Sequence, residues 1–260
     1  MSPLRTVSFQ RALRHGGVLA LRSLLKIRHS PDQLLDVILL PITFVLMFVF
    51  LFGNAVTGDW HTYLQFVLPG IAVQAMMFAS LGTAVALNAD LRNGVYDRLR
   101  SLPIARSAPL VGHVLGDLVK YVVALLIVFG FGALLGFRFH GSVARVLAGL
   151  VLVVAFALAV CWMATLIGTL ARTPDGVQGF AAVLILPLTF GSNAFVPTLS
   201  LPGFLQAWVR LNPVTQVADA ARSLLLGLPV TASLGYAVAW IAGIVAVFAP
   251  AAVWCYRRRA

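Results

Sequence analysis

The chain has 260 residues, of which 60% are hydrophobic and only 10% charged. A soluble domain needs about a quarter of its residues charged to cover a water-facing surface, so this composition excludes an ordinary soluble protein. The net charge of +11 comes from 19 Lys and Arg against 8 acids, set between apolar runs, a placement that points to orientation in a membrane and away from nucleic acid.

Residues 8–29 read as an amphipathic helix on the membrane surface. Phe9, Leu13, Ala20, Leu24 and Ile27 share one sector of a helical wheel, and Arg11, His15, Arg22 and Lys26 share the opposite one. Such a basic face meets anionic lipid head groups. The basic N-terminus has no compact apolar stretch directly after it, which argues against a cleaved signal peptide. A first span follows at 34–52, with Pro41 inside it, then a loop without Lys or Arg at 53–63. A second span covers 64–87, with Trp60 and Tyr63 suited to the interface just before it.

The polar stretch 88–107, NADLRNGVYDRLRSLPIARS, separates the second span from the third. Read as a helix, it places Leu91, Val95, Leu99 and Leu102 in one apolar stripe, with Asp90, Asn93, Asp97 and Arg100 opposite. Pro103 ends it. A third span at 110–136 carries Asp117 and Lys120 one turn apart, close enough to pair. A fourth span covers 145–170, a turn covers 171–178, and a fifth span covers 179–196. The segment 192–229 is interrupted by Pro197, Pro202, Pro213 and Pro229 and suits short re-entrant helices, with Asp219 and Arg222 spaced to pair. A sixth span at 232–254 ends in Arg257, Arg258 and Arg259. The reading is an all-α integral membrane protein with six spans in one domain, 1–260.

Charge sets the expected orientation. Fifteen of the 19 Lys and Arg fall on the side holding both termini and 88–120; the other four are Arg138, Arg145, Arg210 and Arg222. Both termini are therefore expected in the cytoplasm. Chemistry is sparse. No GxxxxGK[ST], HExxH or GxSxG occurs, the five histidines are scattered, and Cys161 and Cys255 form no CxxC. The chain is expected to bind no nucleotide, cofactor or metal itself. Asp59 and His61 are the one acid–histidine neighbourhood, in an outer loop, and they keep a membrane-embedded enzyme open as a reading. A structural or sensory membrane protein is another.

The segment 93–118, NGVYDRLRSLPIARSAPLVGHVLGDL, resembles the ABC-2 family of ABC-exporter permeases, the daunorubicin-resistance type in particular. The resembling residues are Gly94, Asp97-Arg98, Leu102-Pro103 and Arg106, with Asp97 where the family often has Glu. The outer segment 192–227 is similar through Asn193, Phe195, Pro197, Pro202, Asn212-Pro213, Arg222 and Gly227. The resemblance implies six spans behind a surface helix, a cytoplasmic coupling helix between spans two and three, and re-entrant outer helices between spans five and six. It implies two permease subunits working with two ATPase subunits, which hold the ATP and magnesium, in a prokaryotic cell membrane. The coupling residues would be Asp90, Gly94, Asp97, Arg98, Leu99, Arg100 and Leu102. Gln74, Asn88, Thr189 and Asn193 are candidates for the path of a lipophilic drug-like or natural-product substrate. A lipid-linked glycan is the alternative cargo.

Overall fold

The computed structural model describes residues 31–93, 108–230 and 232–259, with side chains described at 38–93, 117–230, 232–255 and Arg258. Every regular element among them is a helix. α1 (Pro31–Met47) contains Pro41 and runs into a π-helical turn, Phe48–Phe52. α2 (Gly53–Thr57) ends at Gly58, whose φ of 78° is the left-handed cap that glycine adopts without a Cβ penalty. α3 (Trp60–Arg92) has 33 residues and is about 50 Å long at 1.5 Å per residue. Then come α4 (Ala108–Leu134), α5 (Val143–Leu170), α6 (Pro174–Phe190), α7 (Gly203–Leu211), α8 (Pro213–Leu225) and α9 (Ser233–Arg259).

Five stretches among the described residues are long and apolar enough to cross a bilayer: Ile38–Thr57, Trp60–Arg92, Asp117–Leu134, Val143–Leu170 and Ser233–Cys255. α6 is apolar but has 17 residues, about 25 Å against about 30 Å of hydrocarbon. It occupies the place of the expected fifth span, displaced toward the N-terminus. The cause is local. Thr173 Oγ1 accepts from the Gly176 amide at 3.1 Å, Pro174 needs no donor at the first helical position, and Asp175 complements the helix dipole. The expected turn at 171–178 is therefore mostly a helix start, and 191–197 is the linker. α3 likewise begins earlier than 64, because Asp59 caps it. It also runs on to Arg92, so Asp90 belongs to the end of a span and not to a separate helix. The expected surface helix at 8–29 lies outside the described residues.

α3 is the axis of the bundle. It packs on α1, α4, α5, α6 and α8, while α5 also carries α8 and α9. Tyr63, Leu64, Leu68, Ile71, Met76 and Met77 of α3 are buried with Tyr121, Phe156, Ile185 and Leu225. α3 and α5 approach closely: a Cβ on Gly168 would lie 2.7 Å from the Ala84 carbonyl oxygen. Small residues at a crossing allow helices to pack where lipid supplies no hydrophobic drive. Tyr236, Val238, Trp240, Val247 and Trp254 of α9 remain exposed, a surface suited to lipid or another chain.

Candidate functional site

The segment 192–229 is built on Arg222, which is 5% exposed. Its Nε donates to the Phe66 carbonyl at 2.8 Å, and Nη2 donates to the carbonyls of Asn193 and Ala194 at 2.8 and 3.0 Å. Nη1 donates to Asp219 Oδ1 at 2.8 Å and Asn193 Oδ1 at 3.3 Å. The guanidinium also stacks on the Phe66 ring, 3.9 Å from its centroid. A buried charge is tolerated only when paired and hydrogen-bonded, and here all five N–H groups are used. Asn193 Nδ2 closes the network on both Asp219 oxygens, at 2.8 and 2.9 Å. Tyr63 Oη donates to the Phe195 carbonyl at 2.8 Å. The linker after α6 and helix α8 are thereby pinned to the N-terminal third of α3.

Asn212 completes that attachment. Its Oδ1 caps α8 by accepting from the Val214 amide at 2.9 Å, and Pro213 occupies the first helical position. Its Nδ2 donates to the carbonyls of Leu188 and Gly191 at the end of α6, at 2.8 and 2.9 Å. One side chain thus starts one helix and finishes another.

Below this network α3 presents a stripe of Gly70, Gln74, Met77 and Phe78, positions three and four apart on one helical face. A Cβ on Gly70 would lie 2.8 Å from Ala194 Cα. Met77 Sδ accepts from Thr189 Oγ1 of α6 at 3.6 Å. Phe78 stacks on Phe44 of α1, with centroids 6.2 Å apart. Gln74 sits in the middle, 1% exposed, with neither its Oε1 nor its Nε2 hydrogen-bonded. Three of the four path candidates, Gln74, Thr189 and Asn193, therefore gather where α3 meets α6 and its linker. Asn88 lies apart, in the α3–α5 contact. Its Nδ2 donates to the carbonyls of Gly168 and Ala171, both at 2.9 Å, and so satisfies the C-terminal end of α5.

Two further polar groups stand away from this stripe. Asp117 of α4 is buried, pairs with Lys120, and accepts from Cys161 Sγ of α5 at 3.7 Å. Tyr121, one residue beyond Lys120, shares a 3.0 Å hydrogen bond with Ser80 of α3, so polar contacts join three spans. Asp59 is spent on the start of α3: its Oδ2 accepts from the Thr62 amide and hydroxyl, each at 2.9 Å. Those bonds hold its carboxyl below the usual value. His61 stacks on Trp60 with centroids 3.6 Å apart. Among the described residues no three His, Cys, Asp or Glu side chains gather as a metal site.

Of the expected coupling residues, Asp90 is half-buried in the last turns of α3. Gly94, Asp97, Arg98, Leu99, Arg100 and Leu102 lie outside the described residues. α3 and α4 flank them on both sides. Sequence reading found the Asp219–Arg222 pair and singled out Tyr63 and Phe195 on other grounds, but it did not find Phe66 or the rings Phe44, Phe48 and Phe78. These are single apolar or aromatic residues in apolar runs, with no local signal to separate them from their neighbours.

Residues 15–226 match the ABC-2 type transporter family. The chain is 38% identical over 257 residues to a daunorubicin resistance ABC transporter permease protein of Streptomyces coeruleorubidus, covering 99% of this chain and 89% of that one. It is 30% identical over 224 residues to a probable doxorubicin resistance ABC transporter permease protein of Mycobacterium tuberculosis, covering 85% and 80%. A doxorubicin resistance ABC transporter permease protein of the same organism is 28% identical over 204 residues, covering 78% and 68%. On the strength of a family match over most of its length and a near full-length relative, the chain belongs to the ABC-2 type transporter family.

Proposed function

We propose that this chain is the membrane subunit of an ATP-driven exporter that moves a lipophilic, drug-like or natural-product substrate out of a prokaryotic cytoplasm. The observation that carries the reading is the similarity over 99% of the chain to a permease named for drug resistance. The absence of a P-loop in the sequence fits ATP and magnesium held by a separate ATPase. In this reading two copies of that ATPase work with two permease subunits. α6 completes six crossings, with the surface helix at 8–29 and both termini in the cytoplasm.

Motion enters at the segment 90–102. Asp97, Arg98 and Arg100 make its polar contacts with the ATPase, and Leu99 packs as the anchor. α3 supports this role as a rod: it leads into that segment at Arg92 and carries the Arg222 network near its other end. A switch of this kind works only if the two ATPase states contact the permease differently. The test is doxorubicin efflux from cells expressing the chain with an ABC-type ATPase that co-purifies with it. Efflux and permease-stimulated ATP hydrolysis are expected in the wild type and lost together in Asp97→Lys at normal expression. Wild-type rates in that variant would end the coupling role.

A further inference from the structure

The nine-residue helix α7 lies outside the long apolar helices, yet one of its faces is both apolar and uncovered. Phe204, Trp208 and Leu211 stand at i, i+4 and i+7, and they are 77, 50 and 72% exposed. Gln206 and Arg210 occupy the opposite face, where Arg210 Nη2 donates to Gln206 Oε1 at 3.5 Å. On one flank Val209 is buried, and the Gln216 side-chain amide of α8 donates to the Arg210 carbonyl. α7 is thus held to α8 along its flank, with three large apolar side chains turned away from the protein. A contiguous patch of this kind marks an interaction surface.

The place of the patch identifies its partner. The C-terminal ends of α6 and α7 lie together. Asn212, directly after α7, donates to the carbonyls of Leu188 and Gly191, and a Cβ on Gly191 would lie 2.7 Å from Trp208 Nε1. α6 buries Ala181, Ile185 and Thr189 and exposes Phe180, Val183 and Phe190. The exposed apolar side chains of the two helices therefore meet where Phe190 and Gly191 adjoin Trp208. With 17 residues, α6 is about 5 Å shorter than the hydrocarbon layer, so its end draws α7 into the boundary between acyl chains and head groups. An amphipathic helix at that boundary buries its apolar face by about 5–10 Å, a matching depth. Trp and Arg are suited to this zone, the one for its amphipathic ring and the other for the phosphates.

We propose that α7 is an interfacial helix that docks on the lipid surface beside the end of α6. Phe204, Trp208 and Leu211 enter among the acyl chains just beneath the head groups, and Gln206 and Arg210 stay at head-group level. The helix lies along the surface; it does not dip into the hydrocarbon and return, and it does not cover a second copy of the chain. Through Asn212 and Gln216 it ties the start of α8, the helix that carries Arg222, to the membrane surface. The proposal goes beyond the exporter reading: it needs a bilayer around α6, and neither ATPase nor cargo.

The test uses the purified full chain in lipid nanodiscs. Single spin labels are attached through Phe204→Cys, Gln206→Cys, Trp208→Cys, Arg210→Cys and Leu211→Cys in the Cys255→Ser background, which by itself should take no label because Cys161 is buried. Oxygen is expected to relax the labels at 204, 208 and 211 more than a water-soluble nickel chelate does, and the order is expected to reverse at 206 and 210. Nickel access at 204, 208 and 211 equal to that at 210 would place this face in water. Low access to both reagents at 204, 208 and 211 would mean that protein covers it. Either result overturns the proposal. Native side chains give an independent reading through the fluorescence lost in Trp208→Phe, a conservative change on an exposed face. That Trp208 component is expected to be quenched more by lipids brominated near the head-group end of the acyl chain than by lipids brominated near its methyl end. The opposite order would put α7 deep in the hydrocarbon and end the proposal.

Discussion

Arg222 donates to partners 156 residues away at Phe66 and 29 residues away at Asn193. Arg222→Met would leave three buried carbonyls and the Asn193 side chain short of a donor. Breaking a buried pair costs about 3–5 kcal/mol, and the partial exposure of Asp219 puts this case near the lower end. Arg222→Lys should recover only part of the loss, since an ammonium cannot reproduce the planar five-donor fork. Heating in detergent followed by size-exclusion chromatography should rank wild type above Lys, and Lys above Met. Asp59 gives a pH signature. Its carboxyl is held below the usual value by the Thr62 donors, so its contribution is fully present above the ordinary carboxylate pKa of about 4 and is lost as pH falls through the lowered value. Melts of Asp59→Ala and wild type should therefore differ at neutral pH and converge under strong acid. The Asp219–Arg222 spacing could be read locally. The carbonyls that Arg222 reaches could not, because they depend on where the linker after α6 lies.

Helix contacts make separable predictions from glycines of the same chemical type. A Cβ on Gly168 meets the rigid backbone of α3 at Ala84, so Gly168→Ala should cost about 1–3 kcal/mol by forcing α3 and α5 apart. Gly82, within α3, has nothing within 4 Å of such an atom, and Gly82→Ala should stabilise by about 0.5–1 kcal/mol through helix propensity. Paired thermal melts check both directions at once. The long helices were legible from hydropathy, and their boundaries less so. Thr173-Pro174-Asp175 reads as a turn when Pro is taken as a breaker, yet at the first helical position the same residues start a helix. Asp59 misled in the same way, since its capping bond draws Trp60 and Tyr63 into α3.

The bundle as a whole is polarised along α3, with the Arg222 network near one end and Arg92 at the other. Cysteines placed at Leu199 and at Arg92, both exposed, report its orientation in a background where Cys255 is replaced by Ser. An impermeant thiol reagent should label position 199 in intact cells and position 92 only after permeabilisation. The reverse pattern would invert the topology. The exposed apolar surface of α9 is normal against lipid, so it needs no second subunit to account for it.

Membrane class, the run of helices, their expected polarity and the membership of a permease family all follow from local features of the chain. Hydrophobic length is a one-dimensional quantity at 1.5 Å per residue, and Lys and Arg counts need no folding. The placement of polar side chains was another matter. Of the four proposed for a path, Asn193 bonds the side chains of Asp219 and Arg222, Asn88 holds the backbone at the end of α5, Thr189 contacts a thioether, and Gln74 alone has both polar atoms free. Whether a buried amide finds a partner depends on groups brought together from segments up to 83 residues apart, and only the packing of α3 against its neighbours fixes those distances.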